Sequence, residues 1–402
     1  MRPAGFSRRS FLHLLTLALA GLPLLAGCGA GRLPGSSRPD YLMYVGTYAA
    51  AEAESIFLYR ISGTGALTRL RAEKAGPNPS FLALDSRHQY LYAANEVGQF
   101  EGAASGFVSG FVSAFGINQQ TGQLTALGRQ ASVGAAPCYL SLSPDNQSAL
   151  VANYTGGNVA LLPLAPNGQL GPAAATAAHQ GSGPNRERQE KPHAHCIVPD
   201  PAGRFAFAVD LGIDQVVGYR LDAAKGQLQP LAAPAFMAQP GAGPRHLTFH
   251  PNGRWAYLAN ELSSTITALR YDATAGTFAE VNTLSALPTG FAAPNTAADI
   301  HVAPNGRFVY SSNRGHNSLA VFGVAPETGR LTLLQTVSTQ GQMPRNFALS
   351  PDGRLLLVAN QNSNSIVTFR VDSQTGLLTA TGHTATVPKP VSLQIVPDFI
   401  AR

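Results

Sequence analysis

The chain has 402 residues, a formal net charge of +6 and only 12% charged residues, with 41 glycines and 29 prolines. Because its lysines and arginines are few and scattered, this composition excludes nucleic acid as an expected partner. The abundance of Gly and Pro is typical of a turn-rich domain.

The first forty residues are predicted to direct export and stay outside the fold. Residues 1–27 have the pattern of a lipoprotein signal peptide of the twin-arginine type, in which Arg8 and Arg9 precede a short apolar stretch. The stretch ends in LAGC, which resembles a bacterial lipobox and predicts acylation of Cys28. Residues 28–40 then read as a flexible tether. We expect a protein of the cell envelope, either anchored in the membrane through the lipid on Cys28 or free in the periplasm. An uncleaved anchor and a non-lipidated signal are the alternatives.

The rest of the chain, residues 41–402, repeats one pattern at intervals of about fifty residues. In each repeat an apolar strand ends in a small polar pair, as in VGTY at 45–48 and LANE at 258–261. The middle polar residues of the seven repeats are Thr47, Asn95, Asn153, Asp210, Asn260, Asn313 and Asn360. A fixed period of this length, made only of short strands, predicts a β-propeller with one four-stranded sheet per blade.

Each repeat also supplies the turns that such a blade needs. Six repeats place a turn that contains Pro, Asn, Asp or Gly just before the strand that ends in the polar pair, as in HPNGRWAY and SPDGRLLL. A strand with alternating apolar residues follows, and a second turn closes a hairpin to an outer strand. No stretch after residue 40 has helical periodicity. The predicted fold class is therefore all-β, a seven-bladed β-propeller.

The two ends of this region are incomplete repeats that complement each other. The chain enters at Tyr41 directly on a second strand, and it ends with VSLQIVPD at 391–398, which reads as a first strand. We expect one blade to combine strands from both termini, because this closes the ring and removes exposed sheet edges.

Two columns of the repeat alignment are expected to meet at one mouth of the propeller channel, because the second strand returns to the end where the inner strand starts. The inner-strand column contains Ser80, Cys138, His193, Arg245, Ala298, Arg345 and Val391. The column after the polar pair contains Tyr48, Glu96, Tyr154, Leu211, Glu261, Arg314 and Gln361. Just behind them lie His195, His246, Asp299, His301 and His316.

This convergence of charges predicts a ligand site at the mouth. Arginine on buried strands is costly unless it is paired or faces a ligand, and we expect Arg245 and Glu261 to project into a polar funnel. The alternative is a set of structural ion pairs, such as Arg245 with Glu261. The insertion at 179–192 should lie over the same mouth. Four of its residues could form a polar lid or belong to a solvated loop: Arg186, Glu187, Arg188 and Glu190.

The sequence predicts no metal and no cofactor. His193 and His195 lie two apart on a strand and could chelate together, but no neighbouring acid or cysteine completes a ligand set. Cys138 and Cys196 fall at different depths of neighbouring strands, so we expect free thiols rather than a disulfide.

Nearly the whole mature chain resembles the 6-phosphogluconolactonase type of seven-bladed propeller, the lactonase family that includes fungal carboxy-muconate cyclase. The motifs that carry this resemblance are YVGTY (44–48), NPSFLAL (78–84), GSGPNRERQEKPHAH (181–195), GAGPRHLTFHPNGR (241–254), NEL (260–262), SNRGHNS (312–318) and PRNFALSPDGR (344–354). The resemblance implies catalytic roles for His193 (with His195 close by), Arg245, Glu261 and Arg314. We add His195, Arg345, Glu96, His316 and Asp299 as expected substrate-binding residues. At Asp299 relatives often carry Glu, which leaves the reach of this shorter carboxylate open.

The leading hypothesis is metal-independent hydrolysis of a sugar-type or related lactone at the channel mouth. His193 or Glu261 would activate water, Arg245 and Arg314 would stabilise the oxyanion, and Arg345 would bind a substrate anion. The first alternative is a cycloisomerase of the muconate-cyclase type that uses the same residues. The second is a non-enzymatic envelope propeller that binds a ligand or protein. In the leading hypothesis the only partners are a small-molecule lactone and, through the lipid anchor, the membrane. The chain is expected to be a monomer.

Overall fold

The computed structural model of the protein describes residues 40–101 and 108–400, and every regular element in these two ranges is a β-strand. The predicted signal peptide, the lipidation site at Cys28 and all of the tether except Asp40 lie outside the described residues. Within the described ranges there is no helix long and apolar enough to cross a membrane.

The strands follow each other in blade order along the chain. The closing blade begins with β1 (Tyr41–Thr47), β2 (Ile56–Ile61) and β3 (Leu67–Glu73). Blade 1 contains β4 (Pro79–Leu84), β5 (Tyr90–Asn95), β6 (Phe111–Ile117) and β7 (Leu124–Ala131). Blade 2 contains β8 (Pro137–Leu142), β9 (Ser148–Asn153), β10 (Asn158–Pro163) and β11 (Ala175–Ala178). Blade 3 contains β12 (Ala194–Pro199), β13 (Phe205–Asp210), β14 (Gln215–Asp222), β15 (Gln227–Pro230) and the short β16 (Phe236–Met237).

The second half of the ring continues in the same order. Blade 4 contains β17 (Pro244–Phe249), β18 (Trp255–Asn260), β19 (Thr265–Asp272) and β20 (Thr277–Ser285). Blade 5 contains β21 (Thr296–Val302), β22 (Phe308–Arg314), β23 (Ser318–Val324) and β24 (Leu331–Ser338). Blade 6 contains β25 (Pro344–Leu349), β26 (Leu355–Asn360), β27 (Ser365–Val371) and β28 (Leu378–Thr386). The final strand is β29 (Pro390–Pro397).

The seven-bladed propeller and its shared blade are confirmed. The described strands form seven sheets, and β29 is the innermost strand of the sheet β29-β1-β2-β3. It pairs antiparallel with β1, from Tyr41 opposite Pro397 to Gly46 opposite Ser392. The inner strands contact one another in a full circle, in the order β29, β4, β8, β12, β17, β21, β25 and back to β29. The N-terminal and C-terminal strands therefore close the ring.

The hydrophobic core is divided among the interfaces between neighbouring blades. Seven apolar clusters are present in the described residues, and each draws its members from two adjacent blades. Trp255 and Tyr257 of blade 4, for example, pack with Val309 and Phe322 of blade 5. Because apolar burial is the main stabilising term, each blade depends on both neighbours for its stability.

The predicted turns are present and explain their residue choice. The turn between the first two strands of each complete blade has one residue with positive φ. Gly adopts this conformation without steric strain, and Asn tolerates it better than most other residues. The residues at this position are His88, Asn146, Gly203, Gly253, Gly306 and Gly353.

Candidate active site

A β-bulge near the start of each inner strand turns side chains out of the regular ladder. In β17, Pro244 pairs with Asn260 and His246 with Ala259, which leaves Arg245 as the extra residue. The extra residues of five other inner strands are Ser80, Cys138, His195, Arg345 and Val391. In β21 the bulge contains two residues, Ala298 and Asp299, which lie opposite a single residue of β22. Bulges re-aim side chains at barrel rims and near active sites, so this irregularity creates the inner-strand column.

The strand register corrects one predicted position. In β12, Ala194 pairs with Asp210 and Cys196 with Val209, so His195 rather than His193 is the bulge residue of blade 3. His193 lies before the strand, and its carbonyl accepts a hydrogen bond from the N–H of Leu211 at 3.0 Å. Two histidines that are two residues apart satisfy the same strand periodicity. The repeat alignment therefore placed His193 in the inner-strand column, whereas His195 occupies that position.

Polar side chains from six blades and from the insertion at 179–192 enclose a cavity of about 190 Å³. Its lining residues are Glu96, Cys138, Tyr154, Arg188, His195, Glu261, Arg314 and Arg345. Five predicted site residues are thus brought together: Glu96, His195, Glu261, Arg314 and Arg345. Four other predicted site residues, His193, Arg245, Asp299 and His316, do not line it. The cavity is smaller than the roughly 300–1,000 Å³ of pockets for drug-sized ligands, so it suits a single small ring.

Glu261 is the centre of an ionic cluster at the cavity. Its Oε2 lies 3.0 Å from Arg245 Nε and 2.7 Å from Arg314 Nη2, while its Oε1 lies 2.6 Å from Arg188 Nη2. Burial by itself raises the pKa of Glu261, but the neighbouring guanidinium groups outweigh burial and lower it to about 2. The side chain is only 4% exposed. The carboxylate is therefore ionised and fully engaged, not free in an open funnel as the sequence suggested.

Arg245 is enclosed beside this cluster, with a side chain that is 2% exposed. Its Nη1 donates a hydrogen bond to the carbonyl of Ala298 at 2.7 Å and lies 3.1 Å from His246 Nε2. Burial, together with repulsion from Arg314 and Arg345, lowers the pKa of Arg245 to about 10. The group remains charged at neutral pH, and the ion pair with Glu261 that the sequence allowed as an alternative is present.

Asp299 organises a second layer of polar groups behind Arg245. Its carboxylate accepts from His246 Nδ1 at 2.8 Å, His301 Nε2 at 2.9 Å and Asn346 Nδ2 at 2.5 Å. Burial, together with the positive charge of Arg245, lowers the pKa of His246 to about 4, so this imidazole is neutral. The side chain of Asp299 is saturated by protein groups, which explains why it does not face the cavity.

His195 presents a neutral imidazole to the cavity. Burial, reinforced by the charge of Arg245 and other arginines, holds the pKa of His195 well below its usual value. Its Nδ1 lies 3.7 Å from the sulfur of Cys138. Burial raises the pKa of Cys138, so the sulfur stays a thiol. This pair therefore lacks the thiolate that a cysteine nucleophile requires.

His193 is held outside the cavity by its own partners. Its ring stacks on Tyr154 with centroids 4.5 Å apart. Its Nδ1 lies 3.1 Å from the carbonyl oxygen of Tyr154, and its Nε2 lies 3.1 Å from Glu190 Oε1. Both nitrogens are engaged, so His193 is poorly placed to exchange a proton with a ligand.

Arg345 lines the cavity and makes no side-chain hydrogen bond to another described residue. Its guanidinium lies 5.5 Å from the ring centroid of Tyr48, whose hydroxyl donates to Glu96 Oε2 at 2.8 Å. Among the described residues Arg345 has a cation–π partner but no side-chain hydrogen bond to a protein acceptor. A planar guanidinium with unused donors is suited to bind a carboxylate, phosphate or oxyanion.

The insertion at 179–192 supplies one cavity residue, Arg188, that was not among the catalytic or substrate-binding residues predicted from the sequence. Arg188 reaches the cavity and its Nη2 donates to the Tyr154 hydroxyl at 3.3 Å as well as to Glu261. Arg186 and Glu187 are exposed. The lid prediction therefore holds for Arg188, and the run of charges in the insertion was the signal that pointed to it.

His316 lies away from the cavity. Its Nδ1 lies 2.8 Å from the hydroxyl of Ser318, and its ring meets Phe291 edge-on at 4.6 Å. Cys138 and Cys196 are free thiols, as expected. Within residues 40–101 and 108–400, no group of three or more His, Cys, Asp or Glu side chains is arranged to hold a metal ion.

Comparison with known proteins identifies the family. The profile described as "Lactonase, 7-bladed beta-propeller" matches residues 42–395. The chain belongs to this lactonase family. The lactonase is 39% identical to the 6-phosphogluconolactonase of Bacillus subtilis over 76% of its own length and 84% of that protein.

Two solved structures share this fold closely with the lactonase. A putative 6-phosphogluconolactonase from Bacteroides fragilis has a TM-score of 0.81 and 34% identity, and the match covers 90% of the lactonase and 99% of that chain. The periplasmic gluconolactonase of Pseudomonas aeruginosa has a TM-score of 0.83 and 35% identity, with 89% and 99% covered.

Proposed function

We propose that this lactonase hydrolyses a sugar-type or related lactone in the cavity at the channel mouth, without a metal ion. The observation that carries the proposal is the pairing of a neutral, cavity-lining His195 with the uncommitted guanidinium of Arg345 in one small pocket. Lactone hydrolysis needs a base for water and positive donors for the developing oxyanion, and these two groups supply them.

His195 is the proposed general base. With its Nδ1–H directed at the sulfur of Cys138, Nε2 is free to accept a proton from water. Burial, together with the charge of the nearby arginines, lowers the pKa of His195 and keeps the imidazole unprotonated. The negative charge that develops on the lactone oxygen offsets the charge of these arginines, so the basicity of His195 rises as water attacks. His193, whose two nitrogens are already occupied, is not assigned this role.

Arg345 and Arg314 are the proposed electrostatic groups. Water adds to the lactone carbonyl as its proton passes to His195, and the resulting oxyanion is stabilised by the guanidinium groups. The ring C–O bond then breaks, and the leaving alkoxide takes the proton back from His195 to give a hydroxy acid. The acyl carbon is attacked by water directly, so no covalent enzyme intermediate forms.

Glu261 has a different role in this proposal. A carboxylate with a pKa near 2 is a weak base, and its two oxygens already bind three arginines. We assign it to orienting these arginines and to offsetting their mutual repulsion, which keeps Arg314 aimed at the cavity.

The proposal includes location in the cell envelope. The twin-arginine pattern and Cys28 support export and lipid anchoring, and the Pseudomonas aeruginosa relative is described as periplasmic. The Bacillus subtilis relative is named for a phosphorylated lactone. Both phosphorylated and neutral sugar lactones are therefore candidate substrates.

The test is a hydrolysis assay of the purified mature chain on gluconolactone, 6-phosphogluconolactone and muconolactone, with and without EDTA. We expect turnover that EDTA leaves unchanged and one solvent oxygen in the product from ¹⁸O-labelled water. His195→Gln should lower kcat by about 10²–10⁴-fold, whereas the matched variant His193→Gln keeps it within a few-fold.

Three results would each change the assignment. Product without solvent oxygen indicates a cycloisomerase. Loss of turnover in EDTA contradicts metal independence. An active His195→Gln variant contradicts the assigned base.

A further inference from the structure

In five of the seven blades, the polar residue that ends the second strand is hydrogen-bonded to the connection that enters that blade. In four blades this residue is an Asn whose side-chain amide donates to a carbonyl in the connection. The pairs are Asn95 with Pro77 at 2.7 Å, Asn153 with Ser132 at 3.0 Å, Asn313 with Ala286 at 2.8 Å and Asn360 with Thr339 at 3.2 Å. The repeated Asn is therefore structural, and in three of these four blades the residue after it lines the cavity: Glu96, Tyr154 and Arg314.

Blade 3 carries Asp210 at this position, and its carboxylate holds both ends of the long insertion. Oδ2 lies 2.6 Å from His179 Nδ1, at the beginning of the insertion. Oδ1 accepts the N–H of His193 at 2.7 Å, directly after its end. His179 is fixed from its other side by the hydroxyl of Tyr219, 2.8 Å from Nε2. Asp210 and the His179 side chain are almost completely buried.

The segment between these ends is built around one buried side chain. Gln189 is fully buried, donates from Nε2 to the carbonyl of Leu211 at 2.8 Å and accepts the N–H of Asn185 at 3.1 Å. A Cβ at Gly212 would clash with the carbonyl oxygen of Lys191, so the glycine permits the close approach of this segment. The residue before Gln189 is Arg188, whose position is thereby fixed.

Arg188 differs from the other cavity arginines in its support and exposure. Arg314 and Arg345 belong to strands β22 and β25, whereas Arg188 is carried by the insertion and its side chain is 38% exposed. It can leave Glu261 for a substrate anion without stranding that carboxylate, because Arg245 and Arg314 remain paired with Glu261. Guanidinium groups bind phosphate or carboxylate through two parallel hydrogen bonds.

We infer that Asp210 and His179 are positioning residues that hold Arg188 over the cavity, and that Arg188 selects lactones bearing an anionic substituent. This inference rests on the proposed lactone hydrolysis. It adds a residue that determines substrate specificity, Arg188, and the hydrogen bonds that position it.

The kinetic test compares 6-phosphogluconolactone with gluconolactone in Arg188→Ala, His179→Ala and the double variant. Arg188→Ala should raise KM for the phosphorylated lactone by about tenfold, with kcat and the KM for gluconolactone nearly unchanged. His179→Ala should reproduce that selective effect, and the double variant should add nothing further, since both changes remove one contact. Asn360→Ala is the matched control, because it frees a connection that carries no cavity residue, and it should leave the KM ratio unchanged.

Distinct results overturn each half of the inference. An equal rise of both KM values in Arg188→Ala contradicts selection by Arg188. Additive effects of the two changes contradict positioning by His179 and Asp210.

A measurement without turnover keeps the inference testable if the wild type hydrolyses neither lactone, a result that would contradict the proposed function alone. Calorimetric titration with 6-phosphogluconate and with gluconate should show a preference for the phosphorylated acid that Arg188→Ala and His179→Ala both abolish. Hydrogen exchange at the amides of Gly183 and Gln189, which are bonded within the insertion, should accelerate in His179→Ala and not in Asn360→Ala. Unchanged exchange or an unchanged preference overturns the inference.

Discussion

The Nη1 atom of Arg245 lies 3.1 Å from Nε2 of His246. Because a guanidinium can only donate, this contact requires His246 to be neutral with its hydrogen on Nδ1, where Asp299 Oδ1 accepts it at 2.8 Å. Asp299 therefore fixes the tautomer of His246, and His246 in turn fixes the orientation of Arg245 beside Glu261. A carboxylate that never reaches the cavity thus controls the geometry of the ionic cluster.

Replacing His246 with Phe should flatten the acid side of the stability profile. The pKa of His246 is lowered from 6.5 to about 4 in the folded protein, so on acidification the unfolded chain takes up this proton first. The contribution of the neutral His246 to the free energy of unfolding is therefore complete above pH 6.5. About 3 kcal/mol of that free energy is lost as the pH falls from 6.5 to 4. Phe keeps the ring contacts with Phe81 and Tyr139 but cannot titrate. Urea unfolding of both proteins at pH 7, 5.5 and 4 measures the difference, and parallel profiles would contradict it.

Glu261→Gln should destabilise the protein more than Arg245→Met. Without Glu261, the guanidinium groups of Arg188, Arg245 and Arg314 face each other unpaired, and loss of a buried counter-charge costs about 3–5 kcal/mol. Without Arg245, the carboxylate still has two guanidinium partners, so we expect about 1–3 kcal/mol. Denaturant unfolding at pH 7 gives both values, with Arg314→Met as a further control. The reverse order would show that Glu261 is not the centre of the cluster.

Deleting residues 391–402 should destabilise the whole ring. The deletion removes nearly all of β29, which leaves β1 with an open edge and uncovers the cluster that contains Met43 and Leu393. We expect the melting temperature to fall by well over ten degrees or the chain to remain unfolded. Deletion of residues 401–402 alone keeps β29 and serves as the control. Equal melting of all three proteins is incompatible with closure by β29.

Export should require Arg8 and Arg9, and membrane attachment should require Cys28. The double change of Arg8 and Arg9 to Lys should retain the protein in the cytoplasm, because the paired arginines are the recognition element of the export route. Cys28→Ser should abolish incorporation of labelled palmitate and release the exported chain from the membrane fraction. A Cys28→Ser chain that still sediments with membranes after signal removal would refute lipid anchoring.

The repeat was readable from the sequence because its signals are local. Turn residues, alternating strands and the polar pair recur in every blade, and the complementary ends at Tyr41 and Val391 already predicted closure. The column after the polar pair was also placed correctly, since Glu96, Glu261 and Arg314 line the cavity. The second strand of these blades pairs with the third strand without a bulge, so counting along the sequence gives the correct position for the residues of this column.

The inner column was harder to read because every inner strand begins with a bulge. A bulge shifts the register by one residue, and at PHAH this made His193 and His195 indistinguishable. The enclosure of Arg245 and the saturation of Asp299 depend on side-chain directions across two blades. The bond between Asp210 and His179 joins residues 31 apart, and no periodicity links them.

Because β29 closes the ring, the propeller cannot complete its folding until this strand is present. The strand β29, which pairs with β1, is synthesised after every other strand of the ring, so a translation product that stops before β29 leaves β1 without its partner. Such a product presents an unpaired edge and two uncovered apolar faces, which are the features that proteases and chaperones bind. If the protein is exported in the folded state by the twin-arginine route that the sequence predicts, only a chain that includes β29 can leave the cytoplasm as a closed ring.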